Sequence, residues 1–163
     1  MTHGRNVKEF NYSIDDYCSD ISISEDTKAK IDEIDILVLP HKYAEKEYYF
    51  AQESIRFIKY CRSIDSQHSI DILADGDNIE TRALHSFDLF MPIIFVASSV
   101  LFPITINLIS SYIYDRIKGR EKEDVSVKVS FVVRNGKSTK ELHYDGDAKT
   151  FKETFEKIDI NKL

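Results

Sequence analysis

The alternation of apolar and polar positions changes character several times along the chain, and each change marks an element. Ile34 to Leu39 (IDILVL) is a compact β-branched run halted by Pro40, the pattern of a buried strand. From Glu45 to Ser63 the period becomes helical. Phe50, Ser54, Phe57, Ile58 and Cys61 fall on one stripe, and Glu47, Glu53, Arg56 and Lys59 fall on the other. A second short strand is predicted over Ser69 to Ala74, ending in the turn Asp75-Gly76-Asp77-Asn78. Strand, helix and strand in this order predict a βαβ-like unit over 34–88. Ahead of it, 1–33 is polar and acidic, with Ile21 and Ile23 alternating as in a short edge strand.

The carboxyl-terminal third is patterned most sharply. Asn135-Gly136 is a preferred hairpin turn and separates VSVKVSFVVR from KSTKELHY. Taking those two residues as the loop sets Arg134 against Lys137, and hence Val129 against Leu142, Val127 against Tyr144 and Phe131 against Lys140. Odd positions from Val125 to Val133 then face inward and even ones face water. A closing helix follows Gly146, with Asp147 as N-cap and Phe151, Phe155 and Ile158 on its inner side. The hairpin and helix occupy 125–159, and the whole chain reads as one α+β domain.

Between these parts, Leu89 to Tyr114 carries no charge from Asp88 to Asp115. As one helix it would span about 39 Å, more than the ~30 Å of a bilayer core. Two readings stay open. In the first, 89–118 is a soluble apolar helix, kinked at Pro92 or Pro103, packed on the sheet and docking on a partner protein or a second copy of the chain through Phe95, Val96, Val100, Leu101, Ile104, Leu108 and Ile109. In the second it is a single inner-membrane span, with Arg116, Lys118, Arg120 and Lys122 on the cytoplasmic side and a sensing or signalling domain after it.

With 163 residues the chain has the length of one domain, and its 42% apolar content is enough for a core. The net charge of −6 disfavours nucleic acid as a partner. Cys18 and Cys61 are too few for a disulfide scaffold or zinc site, and the first twenty residues lack the basic and apolar regions of a secretory signal. The expectation is an unexported, cytoplasmic protein.

Candidate chemistry is sparse. Asp75, Asp77 and Asn78 begin like a calcium loop but lack its later ligands. His3, His41, His68, His85 and His143 show no metal spacing, and no cofactor motif is present. A Cys61–His41 nucleophile pair is the one enzymatic alternative. Tyr43, Tyr48, Tyr49, Phe50 and Tyr60 read as amphipathic core tyrosines in preference to a base-stacking platform, since Glu45, Glu47 and Glu53 surround them. The expected function is therefore non-enzymatic: an adaptor with no catalytic or metal site.

From Ser69 to Ile158 the order of elements resembles the effector-associated constant component proteins of bacterial conflict systems. There an apolar helical segment ending in a basic cluster precedes a hairpin and a short closing stretch, as SSYIYDRIKGR precedes VSVKVSFVVRNGKSTKELHYDGDAKTFKETF here. The central segment is richer in Ile and Phe than the Ala- and Gly-rich segment of that family. The resemblance implies an accessory protein of an antiviral operon that accompanies variable effectors; it carries over no site residues.

Overall fold

A computed structural model describes residues 4–10, 14, 17–18, 23–44, 47–75, 79–120 and 122–160. The fold is α+β, as the patterning predicts. Its strands are β1 (Gly4–Phe10), β2 (Ile36–Leu39), β3 (His41–Ala44), β4 (Glu47–Ala51), β5 (Ile70–Ile72), β6 (Thr81–Arg82), β7 (Leu89–Val96), β8 (Ser126–Asn135) and β9 (Ser138–Asp147). The helices are α1 (Glu25–Ala29), α2 (Ser54–Ile64), α3 (Phe102–Ile117) and α4 (Phe151–Glu156), with 3-10 turns at Ile31–Glu33, Ser99–Leu101 and Ala148–Thr150. Six strands form a mixed sheet in the order β1-β9-β8-β7-β2-β5, and β3, β4 and β6 form a smaller one.

The apolar stretch after Asp88 divides into two elements instead of forming one helix. Leu89 to Val96 is β7, a central strand with β2 on one side and β8 on the other. Its two faces enter two different cores: Leu89, Met91, Ile94 and Val96 meet the helices, while Phe95 joins Leu37, Leu39, Leu73, Ile31 and Cys18 on the opposite face. A strand buried on both faces has no wet positions, so it is as apolar per residue as a buried helix. Pro92 lies where the β7–β8 register slips between Phe90 and Ile93, a bulge where a missing amide hydrogen costs no ladder bond. The remainder is α3, whose 16 residues reach about 24 Å. Among the described residues no helix is long and apolar enough to cross a membrane.

The principal core lies between the sheet and α2, α3 and α4. Phe57, Ile58 and Cys61 enter it from α2; Phe102, Ile106, Ile109, Tyr112 and Ile113 from α3; and Phe151 and Phe155 from α4. β2 and β5 are parallel, with α2 between them in the chain, which gives the predicted βαβ order. The β3–β4 hairpin precedes α2, and this is where the patterning misleads: Glu47–Ala51 is strand, and the helix starts only at Ser54. The sequence EYYFA combines aromatic side chains that pack well in a sheet, which outweighs their helical spacing. Ile23 is outside any strand, and the edge strand of the amino-terminal part is β1, antiparallel to β9. Ile21 lies outside the described residues, as do Gly76, Asp77 and Asn78. Asp75 accepts from the hydroxyls of Ser24 and Thr27 at 2.8 and 2.6 Å and from the Ser24 amide at 2.9 Å, so it anchors the start of α1.

The hairpin forms with one shift. Gly136, at φ +63°, occupies the first central position of the turn and Asn135 pairs with Ser138. Both primed turn types demand positive φ at that position, which glycine adopts without strain. The register therefore slides by two residues, so that Val129 faces Tyr144 and Phe131 faces Leu142. A slide of two keeps every side chain on its face. Val127, Val129, Phe131, Val133, Leu142 and Tyr144 are all buried, as expected. Asp147 accepts from the Lys149 amide at 2.9 Å and starts the turn into α4.

Candidate functional site

Three clusters of polar side chains and one apolar surface are candidates for function. Glu53 precedes the first residue of α2, yet its carboxylate does not cap that helix. It accepts from the Tyr112 hydroxyl at 2.6 Å and from Arg116 Nε at 2.8 Å, both on α3. The hydrogen bond to Glu53 raises the pKa of Arg116, and burial first, then Glu53, raises that of Tyr112. All three charges or hydroxyls are satisfied by one another, which makes the cluster a tie between two helices.

On the sheet face away from the helices, Ser130 and His143 are cross-strand partners. The Ser130 hydroxyl lies 2.7 Å from His143 Nδ1, and His143 Nε2 lies 2.5 Å from Glu141. The order serine, imidazole, carboxylate resembles a nucleophile relay. Ser130 sits in mid-strand between β7 and β9, however, where backbone amides are committed to the ladder and cannot collect a developing oxyanion. The arrangement acts as a cross-strand clip. The register inferred from the sequence set Ser130 opposite Glu141, which hid the pair.

His41 and Cys61 occupy separate surroundings. His41 stacks on Tyr49 (5.5 Å between centroids) and tilts against Phe90 at 4.9 Å, whereas Cys61 is buried in the core under α2. Burial, with a smaller contribution from Asp65, pushes the Cys61 thiol up to about 12, the reverse of an activated nucleophile. Burial foremost, then the Lys128 ammonium, depresses the His41 imidazole to about 4, and its Nε2 is buried with no hydrogen-bond partner among the described residues. The unfolded state, with an imidazole pKa near 6.5, binds the proton before the folded state does, so stability falls as pH drops from about 6.5 toward 4. We expect His41→Phe, which keeps the stacking and removes the titrating ring, to reduce the stability difference between pH 7 and pH 4.5. Urea unfolding at the two values checks this, and an undiminished difference refutes it.

His68 is paired with Asp65 at 2.8 Å in the turn after α2. Among the described residues, no group of three His, Cys, Asp or Glu side chains is arranged to hold a metal ion.

The seven residues expected on one docking helix are dispersed. Phe95 and Val96 end β7, 2% and 0% exposed, and Leu108 and Ile109 point from α3 into the core. The reason is the split of the apolar segment: a docking face cannot include a central strand. Val100 and Leu101 lie in the turn that leads into α3, and Ile104 is half-buried on the helix.

What α3 does present outward is a stripe without charge. Val100 is 78% exposed and Tyr114 64%, and between them lie Pro103, Ile104, Asn107, Ser110 and Ser111 at helical spacing. In a chain with 31% charged residues, a solvent-facing helix normally carries ion pairs on such a face. Beside it, between α3 and the start of α4, opens a cleft of about 430 Å³ lined by Ser110, Ile113, Tyr114, Ile117, Ala148, Lys149, Phe151 and Lys152. No protein-family model matches the chain, and neither a curated protein nor a solved structure matches it.

Proposed function

We propose that this protein is a non-enzymatic binding component that pairs with a second copy of itself across the outer stripe of α3. The observation that carries the reading is the symmetry of that stripe about Asn107. An antiparallel two-fold pairing centred there sets Val100 of one copy against Tyr114 of the other, twice, and Pro103 and Ile104 against Ser111 and Ser110. Large apolar groups thus meet at the ends, and nearer the axis each Pro103 and Ile104 meets a small serine, which leaves room for the helices to approach. The two Asn107 side chains face each other, and an amide can both donate and accept. No charge meets its like, which matters for a chain with net charge −6.

In solution the expected mass is twice the 18.9 kDa of one chain. Asn107→Asp sets two carboxylates at the axis, and Val100→Asp with Tyr114→Asp removes both apolar ends. Each variant should be monomeric by light scattering while still unfolding in one cooperative transition, because the altered positions are exposed and only the stabilisation from pairing is lost. A monomeric parent chain, or a dimer that Asn107→Asp leaves intact, refutes the pairing. The setting belongs to the same proposal: a cytoplasmic accessory of a bacterial antiviral system, as the resemblance of the carboxyl-terminal elements implies.

A further inference from the structure

We propose that the cleft between α3 and the start of α4 binds a medium-chain carboxylate, with its hydrocarbon on the cleft floor and its head group at the lysines of the rim. The floor consists of Ile113, Ile117, Ala148 and Phe151, between 1% and 6% exposed, so the cleft reaches down to the principal core. A volume of about 430 Å³ is in the range of small-molecule sites, which are mostly apolar with a few placed polar groups. Those groups are present here. The Ser110 hydroxyl belongs to a residue that lines the cleft, is buried and has no hydrogen-bond partner among the described residues, so an incoming oxygen would satisfy it. Lys149 and Lys152 stand on the α4 side of the rim.

Among the described residues the ammonium of Lys152 pairs with Glu156 at 3.7 Å, with both side chains more than half exposed, and such a pair yields readily to a ligand anion. An adjoining hollow is lined by Tyr60, Ser110, Ser111, Tyr114, Asp115 and Lys152, so Lys152 stands between the two. An apolar tail and a single negative head group match this combination; a cation or a neutral alcohol lacks one half of it. The cleft stands whether or not two copies pair, since only Ser110 and Tyr114 belong to both surfaces.

The test is isothermal titration of the full chain with decanoate, decylamine and decanol, each below its aggregation threshold. Decanoate is expected to saturate one site per chain and the other two probes to bind far more weakly. The double change Lys149→Glu and Lys152→Glu should weaken decanoate by about tenfold or more. The pair Lys149→Gln and Lys152→Gln, which introduces no new charge, should weaken it in the same direction. Absence of saturable decanoate binding, equal binding of the three probes, or lysine variants with unchanged affinity and intact unfolding transitions would overturn the assignment.

Discussion

Replacement of Glu53 by alanine is expected to cost about 3 kcal/mol of folding stability, the lower part of the range for breaking a buried ion pair. Its side chain is 7% exposed and receives hydrogen bonds from both Tyr112 and Arg116, 59 and 63 residues further along the chain. Loss of the carboxylate leaves the Tyr112 hydroxyl unpaired on a residue only 1% exposed. Arg116, with a third of its side chain exposed, can turn toward water, which keeps the penalty from the top of the range. Glu53→Gln retains an acceptor for Tyr112 and gives up only the charge, so a smaller loss of about 1–2 kcal/mol is expected. Removing all three partners together, as Glu53→Leu with Tyr112→Phe and Arg116→Met, should come closer to the parent than alanine alone, because no group is then left buried and unsatisfied. Urea unfolding midpoints at constant slope rank the three variants. If alanine proves no worse than the triple change, the cluster is not the tie between α2 and α3 described above.

The same cluster illustrates which features a sequence reveals. Periodicity reports which face of an element is apolar, and it located the buried stripe of α2, the inner face of β8 and β9, and the closing Phe151 and Phe155. Those features depend only on neighbours close in sequence. Glu53 falls on the polar stripe of the helical pattern, its partners lie some sixty residues away, and nothing local distinguishes a carboxylate that faces Arg116 from one that faces water. The Ser130–His143 pair depended on hairpin register, and the choice of which residues form the two-residue loop was off by one. Side-chain faces survive that error; individual partners do not. Leu89 to Val96 shows a different limit. A strand covered on both sides and a buried helix have the same composition, and only the sheet order, with β2 and β8 flanking it, decides between them. The candidate surface followed from that decision. Once β7 takes Phe95 and Val96, what the segment leaves outward is the Val100–Tyr114 stripe, and its centring on Asn107 becomes visible only when the inward positions are known.

Phe131→Ala is expected to be at least as damaging as Glu53→Ala, at about 3–5 kcal/mol. Phe131 is fully buried on β8, and its ring lies 5.6 Å from Phe102 at the start of α3 and 5.3 and 6.3 Å from Phe155 and Phe151 on α4. It is therefore the place where the hairpin, α3 and α4 meet. α4 has six residues, far fewer than an isolated helix needs, so packing on this ring and on Tyr144 supplies its stability. A cavity at Phe131 should thus loosen α4 before it unfolds the sheet, and amide exchange over 151–156 should accelerate more than exchange over β7 and β8. Phe131→Leu, which refills most of the volume, should recover more than half of the loss. Since α4 forms one wall of the cleft, the alanine variant should also weaken decanoate binding while leaving the mass in solution unchanged, because α4 contributes no residue to the Val100–Tyr114 stripe. Uniform acceleration of exchange throughout the chain would instead mean that α4 and the sheet unfold as a single unit and that Phe131 has no special hold on the cleft.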